Sequence, residues 1–227
     1  MSEFDTYSDS YRTDVEAALP AGLDLDRFTA VKAAHVLELA GRRLGPPSGL
    51  TALDVGCGTG ETDRHLAGAF GELHGVDVAE AALARARAAN PAVEYRAYTG
   101  DRLPHDDDRF DISFSINVMH HVPPPGWDSF ARELVRVTKP GGLVAVFEHN
   151  PLNPLTRRVV SRCVFDEDAV LLRQRRTRAL LAAAGAPLDE RRYILFIPSA
   201  APWARTLERP LRMVPLGAQY YVAGRVR

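Results

Sequence analysis

One stretch constrains this chain more than any other: residues 53–60, with the sequence LDVGCGTG. There an apolar run ends in glycines at alternate positions, which allow a backbone to turn sharply and to approach a ligand closely. Asp77 follows at the end of the next apolar run, 21 residues after Gly56. In nucleotide-binding βαβ units an acidic residue at this place accepts hydrogen bonds from a ribose diol. The pattern predicts a nucleoside-cofactor site.

The spacing of the glycines bears on which cofactor binds. Folds that bind dinucleotides favour G-x-G-x-x-G and place the pyrophosphate at a helix N-terminus. Here the spacing is G-x-G-x-G, and Glu61 and Asp63 follow in the first turn of an expected helix. Two carboxylates suit a ligand that carries an ammonium group better than they suit a pyrophosphate. The residues favour S-adenosylmethionine, and an NAD(P)-dependent oxidoreductase is the disfavoured alternative.

Apolar runs alternate with amphipathic segments along the chain, and this alternation predicts an α/β fold. We expect strands at 51–55, 73–78, 93–98, 110–114, 143–148, 193–197 and 219–226. We expect helices at 13–19, 28–44, 62–69, 79–90, 127–137 and 171–185. The prediction is a Rossmann-like, doubly wound, seven-stranded sheet with helices on both faces and the ligand at the carboxyl ends of the strands.

Composition predicts a single soluble domain. The chain has 227 residues, of which 46% are hydrophobic and 25% charged, and its formal net charge is −1. That balance gives no electrostatic footprint for nucleic acid or for an anionic membrane. Two cysteines form no disulfide framework, and no apolar run approaches the roughly 20 residues that span a bilayer. We therefore expect a cytoplasmic monomer or homodimer whose partner is a small molecule.

Four further segments resemble one family in their order and spacing. They are 74–79 (HGVDVA), 103–114 with RFDISF at its end, 117–122 (NVMHHV) and 134–146, which contains KPGG. Over residues 50–150 the chain resembles class I S-adenosylmethionine-dependent methyltransferases of the small-molecule, methyltransferase type 11-like group. The resemblance implies S-adenosyl-L-methionine as cofactor, S-adenosyl-L-homocysteine as product, and a sheet that ends in an antiparallel hairpin.

The resemblance also divides the chain into functional parts. Residues 1–47 would be a helical cover, 50–150 the cofactor-binding core, and 150–227 the acceptor-side loops, the last helix and the terminal hairpin. The long loops at 150–169 and 198–216 are expected to wall the acceptor site, because loops of that length are usually functional. Phe147, Trp203 and Met213 are candidate apolar contributors to that wall.

Residue by residue, the resemblance assigns the cofactor site. Asp54 would orient the methionine ammonium, Asp77 would bind the ribose, and either Thr99 or Asp101 would read the adenine amino group. The full predicted cofactor set is Tyr11, Asp54, Gly56, Cys57, Gly58, Gly60, Asp77, Val78, Thr99, Gly100 and Asn117. Tyr7 and Tyr11 resemble an aromatic lid segment of the family, and Tyr7 is predicted to contact substrate.

Methyl transfer is an in-line displacement that needs an aligned acceptor, and a base where the acceptor proton is hard to lose. The candidate catalytic bases are His120, His121 and His149, since all three follow strands at the ligand-facing edge. Glu148 and Asn150 are predicted to contact the acceptor. No metal is expected, because adjacent histidines lack a third ligand at a zinc-like spacing.

The sequence thus predicts a methyltransferase that acts on a small molecule, such as a specialised metabolite or a sugar or glycolipid precursor, in a bacterium. Catalysis would rest on positioning and desolvation, with a histidine assisting if oxygen is the acceptor. The alternative is a relative that binds the same cofactor and catalyses cyclisation or rearrangement without net methylation.

Overall fold

The computed structural model describes residues 11–19, 22–199 and 201–227. The helices are α1 (Tyr11–Ala18), α2 (Leu25–Arg43), α3 (Glu80–Ala89), α4 (Trp127–Arg136), α5 (Pro154–Val160), α6 (Gln174–Ala183) and α7 (Pro202–Glu208). The strands are β1 (Thr51–Val55), β2 (Glu72–Asp77), β3 (Glu94–Ala97), β4 (Phe110–Ile116), β5 (Thr138–His149), β6 (Leu188–Ile194) and β7 (Gln219–Arg225).

The strands form one seven-stranded sheet in the order β3-β2-β1-β4-β5-β7-β6. The first five strands are parallel, and β7 pairs antiparallel with both β5 and β6. The predicted Rossmann-like sheet with a terminal antiparallel hairpin is therefore confirmed. No helix in the described ranges is long and apolar enough to cross a membrane.

The strand sequences explain why both faces of the sheet are covered. Along β5 the side chains of Ala145 and Phe147 join a core on the α2 side, whereas Val144 and Val146 join a core with α4 and α6. Successive strand residues point to opposite faces, so a continuous apolar run fills two cores. The carboxyl ends of β1, β2 and β4 consequently lie between the two helical layers, and the cavity opens there.

The predicted helix at 62–69 is wrong. This segment contains a single 3-10 turn at Asp63–His65, flanked by irregular turns. Tertiary hydrogen bonds hold it: Tyr95 Oη donates to Asp63 Oδ2 at 2.8 Å, and Asn90 Nδ2 donates to the Gly60 carbonyl at 3.0 Å. These bonds tie the segment to β3 and to the end of α3, and they override its helical pattern.

Both long loops contain helices that were not predicted. The 150–169 segment holds α5, whose first N–H groups are capped by Asn153 Oδ1 and whose first residue is Pro154. The 198–216 segment holds α7. The sixth strand also begins and ends earlier than predicted. It ends at Ile194 because Leu195 adopts a left-handed conformation with φ of 61° and breaks the extended chain.

Candidate active site

A cavity of about 470 Å³ opens at the carboxyl ends of β1, β2 and β4, a size usual for small-molecule sites. Eight of the predicted cofactor residues line it: Asp54, Gly56, Cys57, Gly58, Asp77, Val78, Gly100 and Asn117. Gly60 lies behind the turn and Thr99 is exposed away from the cavity, whereas Asp101 lines it. Tyr7 lies outside the described residues, and of Tyr11 the structure describes the backbone in α1.

Asp77 organises the glycine turn. Its Oδ2 accepts from the Gly58 N–H at 2.8 Å, and its Oδ1 accepts from the Ala79 N–H at 2.9 Å. The N–H groups of Gly56 and Cys57 both donate to the Val76 carbonyl, at 2.7 and 3.1 Å. The turn is therefore fixed against the end of β2 without a following α-helix. The Asp77 carboxylate lies at the cavity wall, and its role in binding a ribose stays a prediction.

Two glycines of the turn offer a matched test of the geometry. A Cβ on Gly56, whose φ is +82°, would lie 2.3 Å from Cγ2 of Val118, itself a cavity residue. A Cβ on Gly58, with φ of +53°, would meet nothing within 4 Å. We expect Gly58→Ala to cost about 1–2 kcal/mol of unfolding free energy through left-handed strain. Gly56→Ala should lower the unfolding free energy by about 1–3 kcal/mol more than Gly58→Ala does, because of the clash. Denaturant unfolding measures both losses, and equal losses for the two variants would contradict this interpretation.

An acidic pair lies under the methionine end predicted for the cofactor. Burial and the neighbouring Asp63 raise the pKa of Asp54 well above its usual range. Burial also raises the pKa of Asp63 to about 6, although Tyr95 donates to it. One oxygen of each carboxylate is buried without a hydrogen-bond partner among the described residues. The pair therefore retains a proton more readily than ordinary carboxylates, and a cationic ammonium group could replace that proton as its partner.

The candidate histidines form a cluster beside the cavity. His120 is 1% exposed, its Nδ1 contacts Glu148 Oε2 at 2.6 Å, and its Nε2 lies 3.4 Å from Asp166 Oδ1. Although burial opposes protonation, Glu148 and Asp166 raise the pKa of His120 to about 9. His120 is therefore a buried cation between two carboxylates, and it does not line the cavity.

His121 does line the cavity. Its Nε2 lies 3.4 Å from the same Asp166 oxygen, and its ring contacts that of His120 with centroids 4.1 Å apart and the planes tilted by 45°. Burial and the neighbouring cationic His120 lower the pKa of His121 to about 4. His149 lies behind the cavity, where burial and His120 lower its pKa to about 4 as well. Among the three candidates, the neutral imidazole that faces the cavity is that of His121.

The same cluster contains a third potential metal ligand that spacing did not reveal. His120, His121 and Asp166 each offer one ligand atom, and these atoms lie within 4.8 Å of one another. Asp166 reaches the histidines because α5 and the turn after it fold back over the loop that follows β4. With Glu148, these three side chains can form an ion-pair network. Alternatively, they could hold a divalent ion, with Glu148 hydrogen-bonded to the other ring nitrogen of His120.

The two predicted acceptor contacts at the end of β5 bind other parts of the protein. Glu148 is buried and bonded to His120, and Asn150 donates to the carbonyls of Pro215 and Gly217 at 3.2 and 2.8 Å. Neither lines the cavity, so their roles in acceptor binding stay predictions. Asn150 instead joins the end of β5 to the loop before β7.

The apolar wall differs from the one expected. Phe147 is fully buried in the α2-side core, while Trp203 and Met213 are exposed on the surface, so none of the three lines the cavity. No described residue of 198–216 lines it either. Phe165, from the 150–169 segment, is part of the wall, together with Val122, Pro123 and Phe130.

Sequence reasoning missed the contribution of α2. Thr29 and Lys32 line the cavity from one face of this helix, since residues three apart lie on the same side. The available signal was a lysine at an otherwise apolar position of an amphipathic helix. Phe165 and Asp166 were missed because their contacts with the loop after β4 span more than 40 residues of chain.

Comparison with known proteins agrees with this geometry. Residues 52–142 match the Methyltransf_25 family, described as a methyltransferase domain. A ubiquinone biosynthesis O-methyltransferase of Rhizobium etli (strain CIAT 652) is 25% identical over 217 residues, which cover 85% of this chain and 85% of that protein.

Two solved structures show the same fold. A methyltransferase from Thermotoga maritima, described as a possible histamine N-methyltransferase, superposes with a TM-score of 0.69 at 19% identity, covering 99% of this chain and 98% of that chain. The [4+2]-cyclase SpnF superposes with a TM-score of 0.65 at 19% identity, covering 98% and 94% of the two chains. The matched domain, the curated relative and the fold together identify this chain as a class I S-adenosylmethionine-dependent methyltransferase, which uses S-adenosylmethionine and releases S-adenosylhomocysteine.

Proposed function

We propose that this enzyme methylates a hydroxyl oxygen of an apolar small molecule and that His121 accepts the hydroxyl proton. The observation that carries the proposal is the placement of His121, a neutral imidazole on the cavity wall beside the glycine turn. In the transfer, the acceptor oxygen forms a bond to the methyl carbon as the carbon–sulfur bond breaks. The sulfur keeps the electron pair, and the acceptor proton passes to the imidazole.

Burial and His120 disfavour the imidazolium formed in this step, and Asp166 is the group that offsets part of this effect. Asp166 lies 3.4 Å from His121 Nε2 and carries a negative charge, because His120, although burial opposes it, holds the pKa of Asp166 below its usual range. His120 and Glu148 in turn fix the position of Asp166 and the histidine pair. We infer that His120, Glu148 and Asp166 position the base and do not touch the acceptor.

The cavity wall and the basicity of His121 together favour one class of acceptor. Val122, Pro123, Phe130 and Phe165 supply apolar and aromatic surface near the histidine. An imidazole with a pKa of about 4 is a weak base, so it suits an acidic hydroxyl of a phenol or enol better than an aliphatic sugar hydroxyl. The name of the curated relative, an O-methyltransferase, supports oxygen as the methylated atom.

The proposal is tested by incubating the protein with S-adenosylmethionine and a matched panel of apolar phenols, enols and aliphatic alcohols. We expect S-adenosylhomocysteine and a singly O-methylated product in equal amounts, with phenols or enols preferred. Methylation confined to amines, or to aliphatic hydroxyls, would contradict the proposed acceptor class. An isomerised product without release of S-adenosylhomocysteine would instead support the cyclisation alternative.

A further inference from the structure

Exposed apolar side chains are concentrated in one part of the surface. Ten large apolar side chains are exposed among the described residues, and seven of them lie in two segments, 151–162 and 203–216. These segments contain α5 and α7. The seven are Leu152, Leu155, Trp203, Leu207, Leu211, Met213 and Leu216. Single exposed apolar side chains need no explanation, whereas a concentration of them is typical of an interaction surface.

Hydrogen bonds hold the two segments against each other. Asn153 Nδ2 donates to the Leu216 carbonyl at 2.6 Å, and Thr156 Oγ1 donates to the Ala218 carbonyl at 2.8 Å. The first segment follows the carboxyl end of β5, and the second precedes β7, which is antiparallel to β5. Both segments therefore lie at the edge of the sheet where the cavity opens. Together we call them the α5–α7 surface.

The charged residues of the α5–α7 surface are almost all arginines. The two segments contain six arginines and one acidic residue, Glu208, although the whole chain has a net charge of −1. Glu208 is buried, and its Oε1 accepts from the Ile197 N–H at 2.6 Å. Five of the arginines are exposed and form no ion pair within the described ranges: Arg157, Arg158, Arg162, Arg209 and Arg212. The surface therefore offers positive charge without an exposed carboxylate in either segment.

This combination of apolar and basic side chains indicates what covers the surface. A second copy of the chain is disfavoured, because a symmetric contact would bring the same arginines together. A nucleic acid would pair with the arginines but would leave the exposed apolar side chains unexplained. An anionic bilayer accounts for both, since apolar side chains enter the interface while arginines contact lipid phosphates. Trp203 fits this environment, because tryptophan is enriched at the boundary between lipid and water.

We propose that the α5–α7 surface binds peripherally to an anionic lipid bilayer. The net charge of the chain does not reveal this surface, because it averages the local excess of arginines with acidic residues elsewhere. Binding through this surface brings the cavity edge of the sheet towards the lipid. An apolar acceptor dissolved in the bilayer would then lie close to the cavity, a consequence that rests on the proposed function.

The test is sedimentation of the full chain with lipid vesicles, in the absence of cofactor and acceptor. One preparation contains phosphatidylcholine alone, and the other also contains phosphatidylglycerol. We expect binding to the mixed vesicles to be at least about 10-fold stronger, and high salt should weaken it. Tryptophan emission should shift to shorter wavelength on binding. Trp203→Phe should abolish this shift, since Trp203 is 58% exposed and Trp127, the other tryptophan, is 9% exposed.

Charge reversal locates the binding surface. Arg157→Glu combined with Arg158→Glu should weaken binding to the mixed vesicles by at least about 10-fold. The matched control combines Arg175→Glu with Arg178→Glu. Both of these arginines are exposed on α6, a helix on which no large apolar side chain is exposed. Near physiological ionic strength distant charges are screened, so the control should bind as the wild-type protein does.

Three results would overturn the proposal. They are equal binding to the two kinds of vesicle, an equal loss in both double variants, and failure to bind the mixed vesicles at all. In the last case, binding of polyglutamate would indicate an acidic protein as the partner, and self-association that shifts the Trp203 emission would indicate a second copy. The comparison of vesicles uses the wild-type protein, so it decides the question even if the variants do not fold. Because the assay contains no methyl donor, its failure would leave the proposed acceptor and the role of His121 unaffected.

Discussion

Replacement of Asp77 by alanine is expected to weaken the binding of S-adenosylhomocysteine by at least about 100-fold. We propose that two ribose hydroxyls donate to this carboxylate, and charge-assisted hydrogen bonds are worth about 1.5–3 kcal/mol each. It also accepts from the N–H groups of Gly58 and Ala79, so its loss releases the turn that shapes the cavity. Calorimetric titration of the wild-type and variant proteins measures the effect.

Asp106→Ala is the matched control, because Asp106 is an exposed acid outside the cavity. Asp77→Asn separates the two roles of Asp77, since an amide can accept from one backbone N–H but would present a donor to the other. We expect it to bind with intermediate affinity. Undiminished binding by Asp77→Ala would show that the ribose lies elsewhere, and tight binding of NADH in place of S-adenosylhomocysteine would contradict the cofactor assignment.

His121→Gln is expected to lower kcat for a phenolic acceptor by about 100- to 10,000-fold, the usual contribution of a general base. Affinity for S-adenosylhomocysteine should be unchanged, because the imidazole acts on the acceptor. With a pKa of about 4, His121 is already neutral at pH 6. Its contribution to kcat should therefore be flat between about pH 6 and pH 8 and should fall as the pH approaches that pKa, where the ring becomes protonated.

His105→Gln provides a control with a similar environment. His105 is buried, with a pKa lowered to about 4 by burial and by nearby arginines, but it lies against Phe110 and His74, away from the cavity. This variant should retain kcat. Treatment with a chelator distinguishes a base from a metal ligand: if His121 acts as a base, activity survives the chelator. A chelator-sensitive wild-type activity, or a His121→Gln protein with normal kcat, would contradict the proposal.

The sequence predicted those features of the fold that depend on local pattern. Apolar runs of strand length alternated with amphipathic helices, and the glycines at 56 and 58 marked the turn between β1 and the cavity. The helix expected at 62–69 was not found, because Asp63 and Gly60 are held by Tyr95 and Asn90 from a distant part of the chain. Periodicity carries no information on such bonds.

Residues of the candidate site were predicted where they belong to a local sequence pattern. They were missed where contacts between distant parts of the chain decide their position. The sequence placed three histidines at the edge of the sheet where the strands end. It could not show which of them is the candidate base, since that depends on which one faces the cavity and which one is paired with Glu148. Lys32 was overlooked because its place on the cavity wall depends on how α2 packs against the sheet. Phe165 reaches the cavity, and Asp166 reaches the histidines, from a segment for which the sequence predicted a loop.

The 3-10 turn at Asp63–His65 has a consequence for how this scaffold chooses its cofactor. An α-helix here would direct the positive end of its macrodipole, about half an elementary charge, at the ligand. In its absence a sulfonium meets no such repulsion, and a pyrophosphate finds no such attraction. The conformation of the backbone between β1 and β2 therefore contributes to the choice of cofactor separately from the cavity side chains.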